Sequence, residues 1–227
     1  MSNYIISLAI IAALTFSLLV ETTSWWIKSM AQNNTIGHYV SRTNIYLYGG
    51  RFFALVFMSL ISLLIELNIE TKFIIYLISA SFLFAAILHI MVFKSTKFIV
   101  LVSVFLTKVL FLESPNISAI GSRETERDKL KFYTAVSSFF FGLGLGLPYV
   151  IAALFPEFRL TISNLGQILN ATGMLMLIFF VDQILYRALD RGVLAGRLMD
   201  YSMGRAQGFF AASIFFGIFS FVGVGRG

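Results

Sequence analysis

The sequence predicts an all-α fold, a polytopic transmembrane helix bundle that forms a single integral membrane domain over residues 1–227. Three observations predict it. Of the 227 residues, 58% are hydrophobic and only 12% charged, about half the charged share of ordinary soluble domains. Several windows hold more than eighteen nearly uncharged residues, the length at which a helix crosses a bilayer. The apolar runs are continuous rather than alternating, which argues against a β-barrel. The longest polar stretch, Glu113 to Lys131, is too short for a soluble domain.

The clear spans are 4–26, 45–67, 73–93, 134–154, 163–182 and 206–224. The stretch 98–112 carries Lys108 and is short for a crossing, so it reads as a re-entrant or interfacial segment. With six spans and the N-terminus outside, fourteen of the seventeen Lys and Arg residues fall on the cytoplasmic side, the bias that membranes impose. If 98–112 crosses, Lys108 lies in the bilayer and the other sixteen divide seven inside to nine outside. The six-span scheme therefore holds, with both termini outside. The net charge of +6 is accounted for by this rim, so no nucleic-acid partner is inferred. Without cysteine there is no disulfide and no thiolate chemistry. The N-terminus has no basic n-region or small-residue cleavage site, so its first helix reads as retained.

The first span carries Ser17, Glu21, Ser24 and Lys28 at spacings of four, three and four, one polar stripe on a helix. An acid there costs roughly 2.5–3.5 kcal/mol against lipid at mid-bilayer. Glu21 therefore either lines a polar interior or reaches the interface beside Trp25 and Trp26, an aromatic anchor pair. A polar loop, Gln32 to Thr43, leads into the second span, where Gly49 and Gly50 precede Arg51. Arg51, Ser59, Ser62 and Glu66 share a stripe through Leu55. Its two charges either snorkel to opposite interfaces or face inward.

The third span holds His89, read as packed and hydrogen-bonded more readily than as a proton relay. No second His, Cys or acid stands at ligand spacing, so neither a metal nor another cofactor is expected. The run Arg123 to Lys129 reads as a charge-laced surface helix. In the fourth span, Ser138, Gly142 and Gly146 make a close-packing face. Pro148 there removes a backbone donor, and a helix break at that depth must be buried or line a cavity.

The fifth span is the most polar. Asn164, Gln167, Ala171 and Asp182 share one face on an α-helical wheel, with Gly166, Asn170 and Gly173 beside it. Three amides in half a membrane helix either bond neighbouring helices together or line a polar path. From Tyr186 to Arg205 come four arginines and two aspartates, which read as an amphipathic interfacial helix near 184–203. The last span opens on Gly204, Gly208 and Ala212, a second close-packing stripe.

No Ser-His-Asp or Cys-His set, HExxH or Walker loop is present, so no catalytic residue is assigned. Val20-Glu21-Thr22-Thr23-Ser24-Trp25 with Lys28, followed by Ser41-Arg42-Thr43-Asn44, resembles the opening helices of the Amj (alternate to MurJ) lipid II flippases. The stretch from Glu157-Phe158-Arg159 through Gln167, Asn170 and Phe180-Val181-Asp182 to Gly196-Arg197 is similar to that family's last third. The likeness covers the first fifty and the last seventy residues.

It implies a transporter, not an enzyme, in the bacterial cytoplasmic membrane. Its partners would be membrane lipids and lipid II, the undecaprenyl-diphosphate-linked peptidoglycan precursor, carried to the outer leaflet for cell-wall synthesis. Lys28, Arg42 and Arg51 would then meet the diphosphate, Glu21 and Asp182 would hold those cations when it is absent, and Ser24, Asn164, Gln167 and Asn170 would line the groove. A flippase for another polyprenyl-linked glycan fits equally. Two other classes remain open. One is a polytopic enzyme acting through Glu21, His89 or Asp182. The other is a non-catalytic scaffold whose Arg-rich helix holds a partner.

Overall fold

The computed structural model describes residues 2–32, 34–112, 129–155 and 159–222. The expected charged surface helix at 123–129 thus falls almost wholly outside the described residues. Everything regular in them is helical: α1 (Ser2–Lys28), α2 (Ile36–Glu66), α3 (Thr71–Lys94), α4 (Thr96–Val109), α5 (Leu130–Leu154), α6 (Arg159–Met176), α7 (Gln183–Asp190) and α8 (Leu194–Val222). A π-helical segment, Leu177–Asp182, joins α6 to α7 in one continuous rod.

Among the described residues, five stretches are long and apolar enough to cross a membrane: Tyr4–Lys28, Ile36–Glu66, Thr71–Val92, Leu130–Leu154 and Ile168–Asp190. The sixth predicted span, 206–224, lies in α8 as far as Val222. α8 is packed between α3 and α5. A Cβ on Gly208 would collide with the Ala135 carbonyl, and one on Gly146 would meet Phe216 at 2.5 Å. On the other flank Ser79 donates to the Ser213 carbonyl at 2.9 Å. The small-residue stripes read from the sequence are therefore helix–helix contacts. α4 has 14 residues, about 21 Å at 1.5 Å rise. That falls short of a hydrocarbon core, as expected of 98–112.

Three local expectations need correction. The polar loop before the second span is shorter, because α2 begins at Ile36. Tyr39 and Thr43, four apart, are both fully buried, and the Thr43 hydroxyl donates to the Tyr39 carbonyl at 2.7 Å, so the polar residues stay helical. The segment 184–203 is two helices rather than one. Gly192 stands at φ +71°, and its N–H and that of Val193 bond the carbonyls of Leu189 and Ala188. This is a Schellman stop, for which glycine is the favoured residue. Residues 194–203 then form the first turns of α8, with Arg197 buried instead of lying at the interface. Finally, the π-helical segment adds a residue to the helical repeat, so the α-helical wheel that aligned Asp182 with Asn164 and Gln167 fails across it.

The bundle has two distinct ends. At one, the Trp26 indole donates to Ser202 at 3.1 Å, tying the close of α1 to the start of α8. At the other, Thr71 donates to the Ala153 carbonyl, tying the start of α3 to the close of α5. The first end carries exposed Arg42, Lys94, Lys97, Arg187 and Arg191 and is called the basic end below. Two apolar clusters fill the interior. One, around Leu14, Ile78, Phe82 and Phe216, occupies the middle and far half. The other, around Trp25, Tyr39, Leu185 and Leu198, sits at the basic end.

Candidate functional site: a charged layer between two apolar clusters

Along α1 the far cluster ends at Leu18 and the basic-end cluster begins at Trp25; along α8 the order is Tyr201, then Phe209. Glu21, Thr22 and Arg205 occupy the interval, so a polar layer separates the two apolar bodies. At its centre Arg205 Nη2 donates to Glu21 Oε2 at 2.5 Å. The arginine is fully buried and the glutamate side chain 29% exposed. The guanidinium also lies over the Phe209 ring, 4.9 Å from its centroid, a favourable use of its flat cationic face. Its Nε and Nη1 have no acceptor among the described residues. A buried donor left so costs about 1–3 kcal/mol, more when charged.

Lys28, one turn beyond Ser24, is only 2% exposed. Its Nζ stands 4.2 Å from the Trp25 ring centroid and 5.6 Å from that of Tyr186, and the two rings meet edge to face at 4.9 Å. Asp182, half-buried in the π-helical segment, lies within electrostatic range of Lys28, Glu21 and Arg205. Two acids and two bases from α1, α8 and the rod thus balance one another in one layer.

A hydrogen-bonded chain continues from it. Tyr201 bonds Thr22, and Thr22 Oγ1 lies 3.0 Å from His89 Nε2. His89 Nδ1 is 2.8 Å from the Ala85 carbonyl. A carbonyl only accepts, so Nδ1 carries the proton, and in the neutral ring Nε2 accepts from Thr22. His89 is the packed, bonded residue of the first expectation, its ring fully buried.

Of the residues singled out from sequence, the fold brings together Glu21, Lys28 and Asp182. Ser24 is adjacent, but its hydroxyl donates to the Glu21 carbonyl at 2.7 Å, which commits it to its own helix. Arg42 and Arg51 do not join the layer. Both are exposed on α2, and Arg51 lies over Tyr48 of the same helix at 5.1 Å. Asn164 and Gln167 lie in α6, and their side chains are outside the described residues.

Asn170 lines a cavity of about 400 Å³ between α2, α5 and α6, away from the basic end. α5 runs on as one helix through Pro148 instead of breaking there, and Pro148 and Gly144, whose carbonyl the proline deprives of a donor, line the same cavity. Sequence reading placed Arg205 on the rim and so missed the partner of Glu21. The signal was present: Gly204 and Gly208 flank it and predict close packing at that point of α8. Among the described residues no three of His, Cys, Asp and Glu gather as metal ligands. The chain matches no family model, no curated protein and no solved structure. The likeness to the Amj flippases therefore rests on the quoted residues alone.

Proposed function

We propose that the protein is a flippase that moves an anionic polyprenyl-linked glycolipid from the cytoplasmic to the outer leaflet, lipid II being the substrate its sequence likeness implies. One observation carries the reading: a fully buried guanidinium, Arg205, with two donors that find no acceptor among the described residues, beside an almost fully buried Lys28. Charge is expensive inside a bundle. Retaining two cations there with Glu21 and Asp182 as counter-charges suits a site where phosphate oxygens replace the carboxylates, since Arg binds phosphate through a planar fork of donors. The basic end then faces the cytoplasm, as the positive-inside bias requires, in a bacterial inner membrane with both termini outside. Exposed Arg42, Arg187 and Arg191 gather the lipid there. Arg205 and Lys28 grip the diphosphate, in place of the Arg42 and Arg51 expected from sequence.

Depletion in cells that lack other lipid II flippases tests this. Lipid-linked precursor should accumulate while its fraction accessible at the outer face falls. Unchanged precursor pools and accessibility would overturn the assignment.

A further inference from the structure

Away from the charged layer, α2 and α6 flank α5 without closing over it, leaving two adjoining cavities of about 400 and 520 Å³. Both fall within the roughly 300–1,000 Å³ of small-molecule sites. They share Met58, Ser62, Glu66 and Tyr149, and continue to Ser59 on one side and Asn170 on the other. Ser62 bonds the Tyr149 hydroxyl, whereas the buried Oδ1 of Asn170 has no partner among the described residues. Leu55 and Leu63 at the margin are exposed, so the mouth is apolar while the wall is polar. Among the described residues, the one charged side chain lining either cavity is the carboxylate of Glu66. A phosphate placed there would face like charge with little screening.

From this juxtaposition we infer that the groove between α2, α5 and α6 binds an uncharged, hydroxyl- and amide-bearing lipid headgroup, a glycan, and rejects a phosphate. The inference rests on the transport reading for its lipid-linked glycan and divides the substrate between two places. The diphosphate meets Arg205 and Lys28, while sugar hydroxyls and amides bond Ser62, Tyr149, Asn170 and Glu66 in the far half. The apolar mouth leaves the chain among the acyl tails.

The test uses the full-length protein in phosphatidylcholine nanodiscs. Two probes carry the same diazirine-bearing decyl chain, one ending in β-glucoside and the other in phosphate. After illumination the glucoside should label peptides containing residues 55–66 and 144–152. Asn170→Leu and, separately, Ser62→Ala should each cut that labelling about fivefold, the worth of a hydrogen bond. Excess free glucose should leave it unchanged, as a lipid site requires. Equal labelling of the groove by the phosphate probe, competition by free glucose, or labelling indifferent to both variants would overturn the inference. Glucoside labelling with normal precursor export in cells carrying these variants would leave the glycan site standing and defeat the flippase reading alone.

Discussion

Lys28 is held among aromatic rings, where its ammonium meets the faces of Trp25 and Tyr186 and the field of Asp182. Such an arrangement costs desolvation and returns little net stability. Lys28→Met, of similar reach and no charge, should therefore leave thermal unfolding in detergent unchanged or slightly raised while abolishing precursor export; export at the normal level would remove Lys28 from the phosphate site. The Glu21–Arg205 pair behaves differently, because removing one member strands the other. Glu21→Gln should cost about 3 kcal/mol, the low end for breaking a buried pair, since the glutamate is partly exposed. The double variant with Arg205→Gln should cost less than the two singles summed, by at least about 0.5 kcal/mol. Additive losses in a double-mutant cycle would show that the pair contributes no coupling. Half of this layer was legible in the sequence. Glu21 and Lys28 declare themselves on one helical stripe, but the partner Arg205 lies 184 residues away, a relation no local spacing encodes. Arg42 and Arg51 misled because cations near a membrane end look alike until packing selects which are drawn inside.

At the scale of elements, periodicity located the helices well and their ends less well. The stop at Gly192 was written in the sequence as a glycine after Asp190-Arg191, yet the charge pattern running through it suggested a single helix. The π-helical segment had no visible signal, and it is what turns Asp182 toward the charged layer. Glycine packing separates two classes of substitution. A Cβ at Gly208 would collide with the Ala135 carbonyl and stand 2.6 Å from Ser138. Gly208→Val must therefore part α5 from α8, lowering stability by at least about 1–3 kcal/mol. Nothing lies within 4 Å of a Cβ at Gly49, inside α2. Gly49→Ala should be neutral or stabilising by up to about 1 kcal/mol. Unfolding in a denaturing-detergent titration ranks the two, and equal losses would contradict the packing assigned to α5 and α8.

Over the whole molecule, composition and hydropathy sufficed for an all-α membrane bundle in which α4, with 14 residues, is shorter than the candidate spans. They could not show that two apolar clusters meet across a charged layer, because that depends on which helices are neighbours. The proposed orientation is directly testable, since the chain has no cysteine and a single introduced one reports alone. Lys94→Cys at the basic end should resist a membrane-impermeant maleimide in intact cells, and Glu70→Cys at the far end should react. The reverse pattern would turn the protein over and place its cations in the wrong leaflet for the proposed direction of transport.

The measurement closest to the central claim exchanges the buried pair, Glu21→Arg with Arg205→Glu, in cells that depend on this protein for precursor export. The exchange keeps the layer neutral and paired, so the protein should accumulate in the membrane at its normal level. It also moves the guanidinium to α1, away from Phe209 and the position argued to meet the diphosphate, so export should fail and precursor should build up inside. Full rescue by the stable, exchanged protein would show that the pair merely holds helices together, and would contradict the phosphate site.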